Sequence, residues 1–504
     1  MDFDSFEEDE SATSPSNGHG FTRWPTSKIV SYGDYRADEE ALGPSYFANK
    51  KLYEYQALLP KLPVPSLEQS IQKLIESSIP LAKNENEKNS FLRAVRDPKL
   101  KLLHQKLVEK KDSCTNTSWL SLWWNQMCYL KYRDPLKIFV SYFFTLDDDR
   151  SIDPVDPSAG VKRAASILTA ISKFRKKVCS GDFPQEMIRN KPLCSAAYKY
   201  MFNACRIPES PMDSYTIYDP SLYSHCIIAH KGFFFEMDFV DKRTHDPVPI
   251  HVLEESIRKC IDIATEASEN KDRNILKLGM FTSLNRDDWA EIRDGLLKDI
   301  KEDLEVLESG AMLICIDDDS PSSRKECAEL FWHGGKDFGM NRWFDKSLQF
   351  ICTTNGKAGL IGEHSMMDGM PTFNLCRFIH NSTYKDYLHE QKSFSKGSTV
   401  PVRILFDRTS VDFLNFGQLK INNYINAYYN LVNGYDVAAD DYKGYGSHQI
   451  KALSYSPDAF VQQAIQLASI KVFGRSIATY ESTQVRSFLH GRLVIIITYL
   501  LSND

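Results

Sequence analysis

The spacing of apolar positions changes several times along the chain, and each change predicts an element. After prolines 60, 63 and 65, Leu67, Ile71, Leu74 and Ile75 recur at helical spacing behind Ser66. That pattern predicts an amphipathic helix against a core, capped by the serine. "SHCIIAHKGFFFEMDF" reads as two strands around His230–Gly232. "AMLICIDDDSP" has the unbroken apolar run of a buried strand, stopped by acid and proline. "DKSLQFICTTNGKAGLIGEHS" carries another strand into the Asn355–Gly356 turn and rises toward His364. Helical stretches such as "DDWAEIRDGLLKDIKEDLEVLES" lie between, and this alternation predicts an α/β protein.

Polar stretches mark the expected boundaries. Residues 1–49 are rich in Ser, Pro, Gly and acid and read as a disordered acidic tail. "HEQKSFSKGSTV" is a candidate linker, and "VRILFD" restarts the pattern, so a second α/β lobe is expected from residue 399. Ser456-Pro457-Asp458 opens a helix with a capping serine, a proline in the first turn and an acid at the positive end. Phe460, Ala464, Leu467, Ala468 and Val472 form its expected buried stripe.

Composition narrows the classes. A chain of 504 residues is too long for one compact core. A net charge of −6 gives no reason to expect nucleic acid or an anionic membrane as a general partner. The apolar run from Leu493 to Leu501 is far short of the roughly 20 residues that a membrane span needs. Eleven scattered cysteines lack zinc or redox spacing and point to reduced thiols. The opening stretch is acidic, unlike an Arg-rich presequence, which leaves the cytoplasm as the expected compartment.

Three places carry candidate chemistry. His364 follows a Gly-rich run, flanked by Glu363 and by Asp368, which would share its face if a helical turn began there. A carboxylate beside an imidazole can orient it and tune its pKa, as a general base requires; an ordinary histidine loop has the same spacing. Trp119, Trp123, Trp124 and Tyr129 crowd aromatic area into a short span, either as core or as a wall for a cationic ligand. Lys443 and Lys451, with glycines 444 and 446, either meet a phosphate or are solvated lysines.

Six stretches in order add a resemblance: "LPKLPVPSLEQSI", "SWLSLWWNQMCYLKYR", "SLNRDDWAEIRDGL", "NRWFDKSLQFICTTNGKAGLIGEHSMMDG", "IKALSYSPDAFVQQAIQLA" and "TYESTQVRSFLHGR". From about Tyr53 to Arg492 the chain resembles the carnitine/choline acyltransferase family, most closely its carnitine acetyltransferase branch. The resemblance implies two related lobes of chloramphenicol-acetyltransferase-like fold. It implies a helical segment at 50–110 packing on the second lobe, a first lobe at 111–398 with the catalytic histidine, and a second at 399–492. It also implies acyl transfer between coenzyme A and carnitine in a ternary complex, with no prosthetic group and coenzyme A as co-substrate. His364 would be the base and Asp368 its supporting acid. Lys451 and Asp458 would bind coenzyme A, with Lys443 or Ser447 near the position where the family carries a further lysine. Tyr480 and Tyr129 would meet carnitine. The expected partners are small molecules, and the expected state is a monomer.

The pattern departs after "HGR". Leu493 stands where the family has a threonine, and its later arginine and Ser-Thr-Ser motif are missing. This implies a chain truncated after Arg492, an aberrant tail at 493–504, an incomplete second lobe and impaired transfer. A choline acyltransferase, or a non-catalytic coenzyme A-binding or regulatory protein, are the alternatives.

Overall fold

Continuous apolar strands need cover on both faces, and the central layer meets that need. A computed structural model describes residues 26–31, 50–115, 117–270, 277–390, 399–406, 418–475 and 477–498. In chain order, helix α1 (Leu67–Ser78) precedes strand β1 (Tyr142–Thr145) and the long helix α2 (Ala159–Ser180). The hairpin β2 (His225–His230) and β3 (Phe233–Asp238) leads to α3 (Ile250–Glu269) and α4 (Arg286–Ser309). Then come β4 (Leu313–Asp317), α5 (Arg324–His333), β5 (Leu348–Thr353), β6 (Ala358–Gly362) and α6 (Gly369–His380). Strand β7 (Val402–Leu405) and helix α7 (Gln418–Asn433) follow. The described chain closes with α8 (Ser447–Ala452), α9 (Pro457–Phe473) and the hairpin-like pair β8 (Thr479–Gln484) and β9 (Leu493–Thr498).

Seven strands form one mixed sheet in the order β7-β3-β2-β4-β5-β6-β1. β4 runs parallel to β2 and β5, and the other pairs are antiparallel. Alternate side chains divide between two cores. Ile228, Ile314, Phe350 and Leu360 pack under α2 and α3 with Leu168 and Ile257. Ile227, Cys315, Ile351 and Ile361 face α4 and α5 with Trp289 and Phe331. The result is a three-layer α/β/α arrangement, as the alternation predicts. Lys231 and Gly232 both take positive φ, 50° and 80°, which suits the two-residue turn that the sequence marks between β2 and β3.

Several expectations change. Lys28–Ser31, inside the expected tail, is a strand that pairs with Ser214–Tyr218, itself paired with Ala204–Ile207. Ile29 is buried there, which pays for ordering so polar a stretch; residues 1–25 and 32–49 lie outside the described residues. β7, which the sequence reading gives to the second lobe, is instead the edge strand beside β3, with Val402 opposite Met237. Of the candidate linker at 389–400, residues 391–398 lie outside the described residues, and His389 and Glu390 end a helix, Tyr384–Glu390. Leu52 and Tyr53 pack into the core with α2, and Leu59 packs beside Cys194, so the start of the 50–110 segment lies against residues of the 111–398 stretch. α1 has its Ser66 cap, yet no residue of it is fully buried. The stripe of α9 is likewise open: Leu467 is 50% and Val472 74% exposed, and Gln466 is its one buried residue. Periodicity reports apolar positions and carries no information on whether an element arrives to cover them. Nor does the backbone break at Arg492, because Leu493–Thr498 pair residue by residue with β8.

The contrast between α2 and α9 is measurable. Leu168→Ala, in the closed core, should cost about 2–5 kcal/mol. Leu467→Ala should stay within about 0.5 kcal/mol. Urea unfolding followed by tryptophan fluorescence checks both values.

Candidate active site

β6 delivers the histidine loop. Gly362 is its last residue, opposite Tyr142 on the edge strand β1. A Cβ at 362 would fall 2.4 Å from Tyr142 Cζ, so only glycine leaves room for that ring. Beyond it the Glu363 carboxylate folds forward to accept from the Ser365 backbone N–H at 3.0 Å and from the Ser365 hydroxyl at 2.5 Å. Arg206, fully buried, donates to Ser365 Oγ at 2.7 Å, contacts Glu363 at 3.4 Å and is balanced by Asp213 at 2.6 Å. The loop is therefore fixed from beneath, and His364 projects from it with 21% of its side chain exposed.

Two tyrosines hold the imidazole. Tyr129 stacks on it with centroids 5.2 Å apart and planes at 24°. Tyr142 stands edge-on at 5.0 Å and 82°. Tyr129 reaches this place from a π-helical turn, Trp124–Leu130, whose wider step re-aims side chains relative to an α-helix. The Tyr142 hydroxyl is fixed on Thr372 Oγ1 at 3.1 Å.

Arg492 closes the arrangement from above. Its guanidinium donates to the His364 carbonyl at 2.9 Å, to the Ser365 carbonyl, to Asn125 Oδ1 and to Asp368 Oδ1 at 2.8 Å, and lies 4.9 Å over the Tyr129 ring. Asp368 caps the start of α6 in extended conformation, so it does not share a helical turn with His364 as expected. Its Oδ1 is 3.6 Å from His364 Nδ1, a charge contact outside hydrogen-bond range.

The electrostatics follow. Burial lowers the His364 pKa; Asp368 opposes that, Arg492 adds to it, and the imidazole ends below its usual 6.5. It is therefore a neutral base at pH 7. Burial would raise the Asp368 carboxyl, but the Arg492 guanidinium overrides it and holds the acid below the usual carboxylate range. Burial pushes the Tyr129 phenol up to about 12, with Tyr480 close enough to contribute.

A cavity of about 420 Å³ opens beside this base, lined by Tyr142, Phe144, Asp368, Met370 and Phe373 and, across from them, by Ser482, Gln484 and Arg486. His364, Asp368 and Tyr129 are thus together, with Tyr480 nearby on β8 and 64% exposed. Lys443, Ser447, Lys451 and Asp458 are all exposed on a separate stretch, with Ser447 and Lys451 one turn apart on α8 and Asp458 in the first turn of α9. Sequence reasoning missed Arg206, Arg492, Asn125 and Tyr142. A signal existed for the β8 wall: Tyr480, Ser482 and Gln484 alternate, as residues on one face of a strand must.

Comparisons with known proteins show what the chain is similar to. The family model described as Choline/Carnitine o-acyltransferase matches residues 62–499. The mitochondrial carnitine O-acetyltransferase of Saccharomyces cerevisiae is 30% identical, over 92% of this chain and 72% of its own length. Carnitine O-acetyltransferase of Homo sapiens is 27% identical over 88% and 70%, and choline O-acetyltransferase of Homo sapiens 28% over 89% and 60%.

The imidazole should titrate below pH 6.5. Replacing Asp368 by Asn removes the carboxylate that raises it most, with Glu363 the lesser one, so the midpoint should fall further. A folded pKa below the unfolded one means the unfolded chain binds the proton first. His364 therefore supplies stability above pH about 6.5 that drains as pH falls toward its folded midpoint. Imidazole NMR shifts across pH 4–8 read the midpoint. A midpoint at or above about 6.5 in the unaltered protein would contradict the burial argument.

Proposed function

The chain belongs to the choline/carnitine O-acyltransferase family, and from that premise we propose that it moves a short acyl group, acetyl, reversibly between coenzyme A and carnitine. The observation that carries the proposal is the neutral, clamped imidazole of His364 facing an open cavity. In a ternary complex His364 takes the proton from the thiol of coenzyme A, or from the carnitine hydroxyl in the reverse direction. A neutral imidazole, held by burial below its usual 6.5, can take the proton of a thiol near 8.5 once both are held in place. The attacked carbonyl becomes a tetrahedral oxyanion, and the trimethylammonium of bound carnitine supplies part of its stabilisation. Burial and Arg492 hold the ring in its neutral form against the pull of Asp368. Tyr129 and Tyr480 receive carnitine; the Tyr129 ring itself already carries the His364 imidazole and the Arg492 guanidinium.

Coenzyme A is a co-substrate, and no prosthetic group enters the scheme. Lys451 and Asp458 are its proposed contacts, with Lys443 and Ser447 beside them; their exposure on α8, α9 and the preceding loop supports access for a bulky nucleotide. The two-lobe, chloramphenicol-acetyltransferase-like division at about residue 399 remains our reading of the architecture, with β7 crossing to the first-lobe sheet. We propose a monomer acting on small molecules in the cytoplasm. Cell fractionation tests the compartment against the mitochondrial designation of the yeast relative. No described helix is long and apolar enough to cross a membrane.

Thiol release from acetyl-CoA with L-carnitine is the direct test. His364→Ala should lower turnover by about 10²-fold or more. Lys451→Ala should raise the KM for acetyl-CoA roughly tenfold, the loss of one charge-assisted contact. Turnover indifferent to His364→Ala would end the proposal. Faster transfer to choline would favour the choline reading, which the human choline O-acetyltransferase match keeps open. Calorimetric binding of coenzyme A without turnover would favour a non-catalytic binder.

A further inference from the structure

Helix α7 is held to the rest of the molecule at few points. Among its described side chains only Tyr428 and Val432 are buried, and they pack with Met280 in a small cluster of their own. Tyr428 is the anchor. Its hydroxyl meets the carbonyls of His333 at 2.9 Å and Gly335 at 2.7 Å, and its ring lies so close to Gly339 that a Cβ there would collide with it. Elements with so few buried contacts open before the rest of a fold does.

The Tyr428 ring covers a lysine. Lys137, on the short helix Leu136–Phe139, is fully buried, and its Nζ sits 3.4 Å from the centroid of that ring and 5.8 Å from that of Phe344. Among the described residues this nitrogen has no hydrogen-bond partner. Two other titratable groups face it: His333 at the end of α5, and Arg342, whose charge is taken up by Asp317 at 2.7 Å. Burial, then Arg342, lower the Lys137 pKa from its usual 10.5 to about 6, so the covered amine is neutral at pH 7. Burial, then Lys137 and Arg342, lower His333 to about 4. Once Tyr428 withdraws, water reaches Nζ, the amine binds a proton from solvent, and closure expels it again.

We propose that α7 is a proton-linked latch: its opening takes up one proton at Lys137 and its closing releases one, so the helix docks more tightly as pH rises. Between about 6 and 10.5 the open form binds more protons than the closed one, and closure gains tenfold per pH unit. His333 adds a second proton only below about 6.5. α7 leads into the stretch that carries Lys443, Ser447 and Lys451, so acid loosens the mounting of the proposed coenzyme A contacts. That consequence rests on the transfer reading; the latch itself does not.

Amide hydrogen exchange followed by mass spectrometry reads the latch without any ligand. After correction for the intrinsic pH dependence of exchange, protection of α7 should rise at least tenfold from pH 7 to pH 8.5, full linkage to one proton being about thirtyfold. In Lys137→Met, which fills the same volume with an apolar chain, the rise should fall below threefold. Circular dichroism checks the fold of the variant. A rise below tenfold in the unaltered protein overturns the latch, as does a helix without protection at pH 8.5. A rise of threefold or more in Lys137→Met overturns the assignment to that amine. Should the variant not fold, the rise in the unaltered protein decides alone.

Discussion

Two buried guanidinium groups fix the geometry on which everything at this site depends. Arg206 lies under the histidine loop and Arg492 over it, and each also grips the π-helical turn. Arg206 donates to the Tyr129 carbonyl at 2.8 Å, and Arg492 reaches Asn125 and covers the Tyr129 ring. The His364 loop and the Tyr129 turn are thus held by the same two side chains. Only arginine offers several donors in a rigid planar fork, so lysine at either place would lose most of these contacts. Burying two cations is costly unless carboxylates and carbonyls satisfy them, and here Asp213, Glu363 and Asp368 do so. Asp213 is held below the usual carboxylate range: burial would raise it, but Arg286 and Arg206 prevail.

The same clamp decides which charge state the His364 imidazole takes. A lone carboxylate beside a buried imidazole would favour the imidazolium, which cannot accept a proton. Arg492 takes up the Asp368 charge through two of its nitrogens, and the 3.6 Å gap to Nδ1 leaves the acid as a background influence. Burial then wins and the ring stays neutral. The dyad that the i, i+4 spacing implies is in fact a three-body arrangement, with the third member 124 residues away from Asp368.

That separation explains what was legible in the sequence. β2 to β6 could be read because each strand carries its own evidence, in continuous apolar runs and turn residues that need positive φ. The His364 loop could be flagged because its glycines and acid are neighbours in sequence. Arg206 and Arg492 could not, since an arginine among other charged residues shows nothing of a partner 127 or 159 positions distant. The π turn was hidden for a related reason: helical periodicity over seven residues cannot separate 3.6 from a wider step. α9 shows the converse error, a readable stripe without a described partner to bury it.

β8 connects the parts. Its alternation sends Tyr480, Ser482 and Gln484 one way and Glu481 the other. The first set looks toward Tyr129 and the cavity. Glu481 instead shares a hydrogen bond with Asp458 at the start of α9; burial and then that neighbouring carboxyl raise its pKa. One strand therefore stands between the exposed basic stretch around α8 and the buried base, touching the surroundings of each. A strand does this better than a loop, because its period of two fixes which side chains face which end. The pairing of Leu493–Thr498 with β8 gains its importance here: it supplies the hydrogen bonds that keep this strand straight beside His364.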